Sequence, residues 1–82
     1  MNLKSGDYFK VVEYGTESYH SKDFLKDRYD GILLYIGKDT DHFGPTMDRI
    51  VNITTGKFFI DDYIRHGILK IQKITVDIIE RN

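Results

Sequence analysis

Residues 54–71, TTGKFFIDDYIRHGILKI, limit the fold more tightly than any other part of the chain. Gly56 supplies the positive φ that a tight hairpin turn needs, directly after Thr54 and Thr55. The apolar run that follows is cut short by Asp61, which can cap a turn over DYIRH that Gly67 stops. Four or five residues cannot sustain an independent α-helix, so a single 3₁₀ turn is predicted near residues 61–66. A strand then resumes over residues 68–79. A hairpin, one helical turn and another strand in so short a span predict a mainly β chain.

The remaining strands follow from β-branched and aromatic content. DYFKVVEY (7–14) reads as a strand with Phe9 and Val11 inward. GILLYIGK (31–38) is a strand between glycines with Ile32, Leu34 and Ile36 on one face and Leu33 and Tyr35 on the other. Both faces are apolar, which places it centrally or under a cover. RIVNITTGKFFID (49–61) is the hairpin itself. In the last strand Leu69 and Ile71 alternate in one phase and Ile74, Val76 and Ile78 in the other, predicting a bulge near Gln72 and Lys73. The expected core joins Phe9, Val11, Ile32, Leu34 and Ile36 to the C-terminal isoleucines. Between the first two strands, Ser21 can cap a short helix over 22–28 that folds Phe24 and Leu25 onto the core. The alternative is an irregular loop pinned by Phe24.

Five strands in a chain of 82 residues must curl to bury one apolar face, and closure removes exposed edges. The order, with a short turn joining the fourth and fifth strands, resembles an SH3-like small barrel. GKFFIDDYI is similar to the end of an SH3 domain, with Asp62, Tyr63 and Ile64 matching its turn. The resemblance implies a single domain over 1–82, a five-stranded antiparallel small barrel. It does not carry the proline-helix ligand, because the chain has no tryptophan and the aromatic-lined groove that such recognition needs is not visible in the sequence.

Composition narrows the function. The absence of cysteine excludes disulfides and Cys-based zinc sites. With 12 Lys+Arg against 13 Asp+Glu there is no overall basic excess to drive phosphate binding. Neither a signal-peptide core nor an apolar run long enough for a membrane span is present, so a cytoplasmic location is expected.

Candidate sites are weighed on the same terms. His20, His42 and His66 lie in or beside predicted loops, and two converging histidines would permit metal-free nuclease chemistry. Solvent-facing histidines are the simpler reading, and no catalytic motif accompanies them. Asp39 and Asp41 in DTDHFG suit a solvated turn better than a calcium loop, whose further ligand positions hold Phe43 and Ile50. No cofactor and no metal is expected. Lys57, Arg65, Lys70 and Lys73 would form a modest basic patch if they shared a face, and with Tyr63 or Phe59 could clamp a nucleic-acid strand. Six tyrosines exceed what so small a core needs, and tyrosine is enriched at protein interfaces. Tyr19, Tyr29, Tyr63 and Phe43 are the protein-binding candidates.

The expected function is a small non-catalytic module that binds a protein, with a nucleic-acid-binding barrel as the alternative. The Ile-, Lys-, Asp- and Tyr-heavy usage is similar to small phage or mobile-element proteins of low-GC Gram-positive bacteria. That similarity implies a host protein as the partner, modulated or inhibited by binding. If Leu33 and Tyr35 are left uncovered, a homodimer would bury them.

Overall fold

The computed structural model describes residues 3–15, 22–39 and 46–75. Along the chain run β1 (Tyr8–Tyr14), α1 (Lys22–Tyr29), β2 (Leu33–Asp39), β3 (Met47–Asn52), β4 (Lys57–Asp61) and β5 (Leu69–Ile74). The strands form one antiparallel sheet in the order β4-β3-β2-β1-β5, so the last strand pairs back to the first and β2 is central. The sheet is open, with β4 and β5 as its edges; among the described residues no ladder joins them. Pairing is short at the β1–β2 seam, where only Tyr8↔Leu34 and Phe9↔Leu33 pair, while β1 follows β5 from Tyr8↔Ile74 to Tyr14↔Leu69. The Gly6 N–H to Tyr35 C=O (2.8 Å) and Tyr35 N–H to Asp7 C=O (2.9 Å) bonds extend that seam.

The concave face is covered by α1 and by the turn that follows β4. The core comprises Phe9, Leu25, Tyr29, Leu33, Tyr35, Ile50, Phe59 and Leu69, with Tyr63, Ile64 and Ile68 packed against it. In α1, Leu25 and Tyr29 stand one turn apart on the buried side. Phe24, expected on the core, is instead partly exposed and lies under the Arg28 guanidinium at 4.8 Å. An eight-residue helix is marginal alone, so its hold on the sheet decides whether it forms. Asn52 provides that hold. It is fully buried, and its amide group donates to the Arg28 (3.0 Å) and Asp30 (2.7 Å) carbonyls at the helix C-terminus. Its carbonyl accepts from the Thr54 (3.0 Å) and Thr55 (3.2 Å) N–H groups and so shapes the β3–β4 turn, which ends at Gly56 with φ 77°.

Three expectations are corrected. First, β2 turns its other face inward. Leu33 and Tyr35 are buried, whereas Ile32 and Ile36 are 37% and 38% exposed. Either phase of ILLYI is apolar, so the neighbours choose. Leu33 lies directly opposite inward-facing Phe9, Tyr35 opposite Ile50, and the buried Tyr35 hydroxyl reaches Asp48 at 2.6 Å. Second, the ladder irregularities fall at Val12 in β1 and Ile36 in β2, not near Gln72 and Lys73. β5 keeps one phase through its length, so Lys73 takes the inward phase opposite Phe9 and ends in an ion pair with Asp7 (3.2 Å). Val76 and Ile78 lie outside the described residues. Third, the turn after β4 is α-like rather than 3₁₀. The His66 N–H bonds the Asp62 carbonyl four residues back. The Gly67 N–H to Ile64 and Ile68 N–H to Tyr63 bonds then close it as a Schellman motif, with Gly67 at φ 71°. Asp61 does cap this turn, accepting from the Tyr63 backbone N–H.

Candidate functional site

Alternation along β4 divides KFFID between two surfaces. Phe59 and Asp61 point into the core, so Phe58 and Ile60 point out, where they are 56% and 39% exposed. The registers then place one apolar side chain from every strand in a single row across the convex face. Phe58 lies opposite Val51, Val51 opposite Leu34, Leu34 opposite Tyr8, and Tyr8 opposite Ile74. Within the row Phe58 is exposed and Val51, Leu34, Tyr8 and Ile74 are half-buried; Ile32, in phase with Leu34, and Ile53, in phase with Val51, are exposed. Scattered apolar residues on a surface are ordinary, but a contiguous patch of a few hundred Å² marks a contact surface.

At the β4 edge the inner and outer surfaces meet in a groove of about 330 Å³ lined by Phe24, Asp27, Arg28, Lys57, Phe58 and Phe59. Arg28 forms its floor. The guanidinium lies 5.3 Å from the Phe59 ring and 3.4 Å from Asp61, and the Tyr29 hydroxyl donates to the other Asp61 oxygen. Tyr29 meets Phe59 edge-on at 4.8 Å and Tyr63 at 6.4 Å. Burial, followed by the Asp61 charge, pushes the Tyr29 hydroxyl far above its ordinary pKa, so it remains a donor. Burial also raises the Asp61 carboxyl, against the opposing pull of Tyr29 and Arg28. The rim carries the exposed Lys57–Asp27 pair at 3.0 Å. The Arg28–Asp61–Tyr29 cluster beside the groove is therefore held by internal hydrogen bonds and an ion pair, and of the aromatic lining Phe58 is the most exposed.

A second buried cluster ties the turn to the sheet. Asp48 accepts from Tyr35 and, at 2.8 Å, from Arg65. Burial and the bond to Asp48 lift Tyr35 to about 12.

The sequence-predicted residues are distributed differently from expectation. Tyr29, a candidate for exposure, is 1% exposed and central to the core, because its hydroxyl finds Asp61 inside. Tyr63 is half-buried against it. Tyr19, Phe43, His20, His42 and Asp41 lie outside the described residues. Asp39 ends β2 and pairs with Arg49 at 2.9 Å. His66 is exposed beside Asp62 at 3.0 Å. The four basic residues do not converge. Lys70 lies opposite Glu13 on the outer face while Lys73 has the inward phase, since three positions along a strand reverse direction. Each is near a carboxylate: Lys57 with Asp27, Arg65 with Asp48 (2.8 Å), Lys70 with Glu13 (3.3 Å) and Lys73 with Asp7.

Sequence reasoning missed the row of Tyr8, Leu34, Val51, Phe58 and Ile74. Its signal was the double-phase apolar content of ILLYI and KFFI, legible only as two alternatives until one phase was buried.

Among the described residues no His, Cys, Asp and Glu group is arranged to hold a metal ion, and no helix is long and apolar enough to cross a membrane. Neither protein-family models, nor curated proteins, nor solved structures match this chain.

Proposed function

We propose that this chain is a small non-catalytic module that docks on another protein through the convex face of its sheet. The observation that carries the reading is the apolar row from Phe58 to Ile74, one residue from each strand, on the side of the sheet opposite the core. A face of this kind stays out of water only when something covers it, and the depletion of charge along the row suits the centre of a protein interface. Within this reading the architecture is an SH3-like small barrel left open between β4 and β5. The return of β5 to β1 and the capped turn between β4 and β5 support that assignment. The compositional similarity to phage and mobile-element proteins makes a protein of a bacterial host the partner to seek, and binding that modulates or inhibits it the expected consequence. No observation favours the nucleic-acid alternative, since Lys57, Arg65, Lys70 and Lys73 each sit beside a carboxylate.

The test is affinity capture from host lysate by the native protein and by Leu34→Ser combined with Val51→Ser. The native protein should retain one dominant partner in stoichiometric amount, and the doubly substituted protein, still folded by circular dichroism, should lose it. Equal retention by both, or recovery of background proteins alone, would sink the reading. A short oligonucleotide bound at low salt and released steeply with added salt would replace it with the alternative.

A further inference from the structure

We propose that β4 is the seam of a homodimer, in which two copies join their β4 strands edge to edge and antiparallel about a twofold axis at Phe59. The proposal goes beyond the docking reading, because it uses the edge of the sheet and leaves most of the convex face free.

Edge strands offer a row of unpaired N–H and C=O groups, and proteins usually blunt them with lysine, proline, bulges or a cover. The two edges differ in this respect. β5 presents Lys70 and Lys73, both exposed. β4 has no proline and no bulge, its only lysine is at its first residue, and its outward side chains are Phe58 and Ile60. Nor does α1 close the edge, since the groove of about 330 Å³ lies between them. β4 is therefore shaped to accept another strand.

Its own sequence is the complement. In a twofold antiparallel pair, residue i lies opposite a residue whose number makes a constant sum with i, and opposing residues share a face. Because Phe58 points out and Phe59 points in, any register that pairs them turns one sheet over. The axis must therefore fall on a residue. At Phe58 it would set Ile60 against Gly56 and leave Asp61 without a counterpart on the strand. At Ile60 it would set Phe58 against Asp62. At Phe59 it sets Phe58 against Ile60 of the second copy, Phe59 against itself and Lys57 against Asp61. Apolar then meets apolar at Phe58, Phe59 and Ile60, while Lys57 and Asp61 keep their partners Asp27 and Arg28 within each copy, with both convex faces on the same side. Aromatic–aromatic and aromatic–β-branched pairs of this kind are what stabilise antiparallel neighbours.

Five residues span about 17 Å, so the seam belongs to the small class of interface, below about 1,200 Å² in total, whose complexes dissociate on dilution. The mass measured by sedimentation should accordingly rise from the monomer's 9.6 kDa towards twice that value between micromolar and millimolar concentration. The β4 amides should gain hydrogen-exchange protection over the same range, and those of β5 should not. Ile60→Lys, which sets a cation against Phe58 of the second copy, should weaken dimerisation at least tenfold. A monomer throughout, or protection gained at β5 but not β4, overturns the proposal, and both readouts need only the native protein. Leu34→Ser with Val51→Ser should leave the dimer intact. Loss of partner capture by that variant with an unchanged dimer separates the face from the seam, and a native monomer that still captures its partner removes the seam alone.

Discussion

Replacing Asn52 by alanine should come close to unfolding the domain. The side chain is fully buried and uses its whole hydrogen-bonding capacity, two donors to α1-end carbonyls and two acceptor positions to turn N–H groups. A typical net hydrogen bond contributes about 1 kcal/mol, and a buried backbone group stripped of its partner costs about 1–3 kcal/mol. The Arg28 and Asp30 carbonyls are the groups that any helix leaves unsatisfied at its C-terminus, so the loss falls where no helical bond can compensate. Together with the small cavity left behind, the expected destabilisation is about 3–5 kcal/mol. A domain of this size has a total stability of about 4–12 kcal/mol. Urea unfolding followed by circular dichroism and tyrosine fluorescence should therefore show a midpoint lower by about 2–5 M, using a slope of about 1–1.5 kcal/mol per M for a small protein. Asn52→Asp is the control that separates hydrogen bonding from volume. It keeps the acceptor for Thr54 and Thr55 but turns a carboxylate towards two carbonyl oxygens. At neutral pH it should be at least as damaging as Asn52→Ala. Its folded-state pKa is raised, so stability should return as pH falls through that pKa and the protonated acid regains a donor. A loss below about 1 kcal/mol for Asn52→Ala, with α1 intact, would refute the clamp.

Two further outcomes follow from the buried pairs. Asp48→Ala leaves the buried Tyr35 hydroxyl unsatisfied and unpairs the partly exposed Arg65, and should cost about 1–3 kcal/mol, against a smaller loss for Asp48→Asn, which retains an acceptor; equal losses in urea unfolding would contradict the pairing. At alkaline pH, Tyr35 holds its proton to about 12 when folded and to its ordinary value of 10 when unfolded. The native state thus binds more protons across that window, and stability should fall as pH rises from 10 to 12, by about 2–3 kcal/mol for this group alone. Phenolate absorbance should show Tyr29 and Tyr35 ionising late, together with unfolding. Early, non-cooperative ionisation of all the tyrosines would show these hydroxyls to be exposed.

Local punctuation and the mainly β class of fold can be read directly from the residues. The β3–β4 turn at Gly56, the capped turn from Asp61 to Gly67, the helix near residues 22–28 and five strands were all legible, because each rests on backbone preferences that act within a few residues. The inward side of β1, with Phe9 and Val11, was legible too, whereas that of β2 and β4 was settled only by long-range packing. ILLYI and KFFI are apolar in both phases, and a one-residue change of phase carries no local penalty. The decision came from contacts between distant segments: Phe9 opposite Leu33, Tyr35 reaching Asp48, and Tyr29 reaching Asp61 across 32 residues of chain. The same contacts drew tyrosines inward that their amphipathic character would also suit to a surface, and left Phe58 exposed and Val51, Leu34, Tyr8 and Ile74 half-buried on the outer face. The face and the seam are therefore properties of the registers. Periodicity names the two possible faces of a strand, and only long-range pairing of buried polar groups selects one.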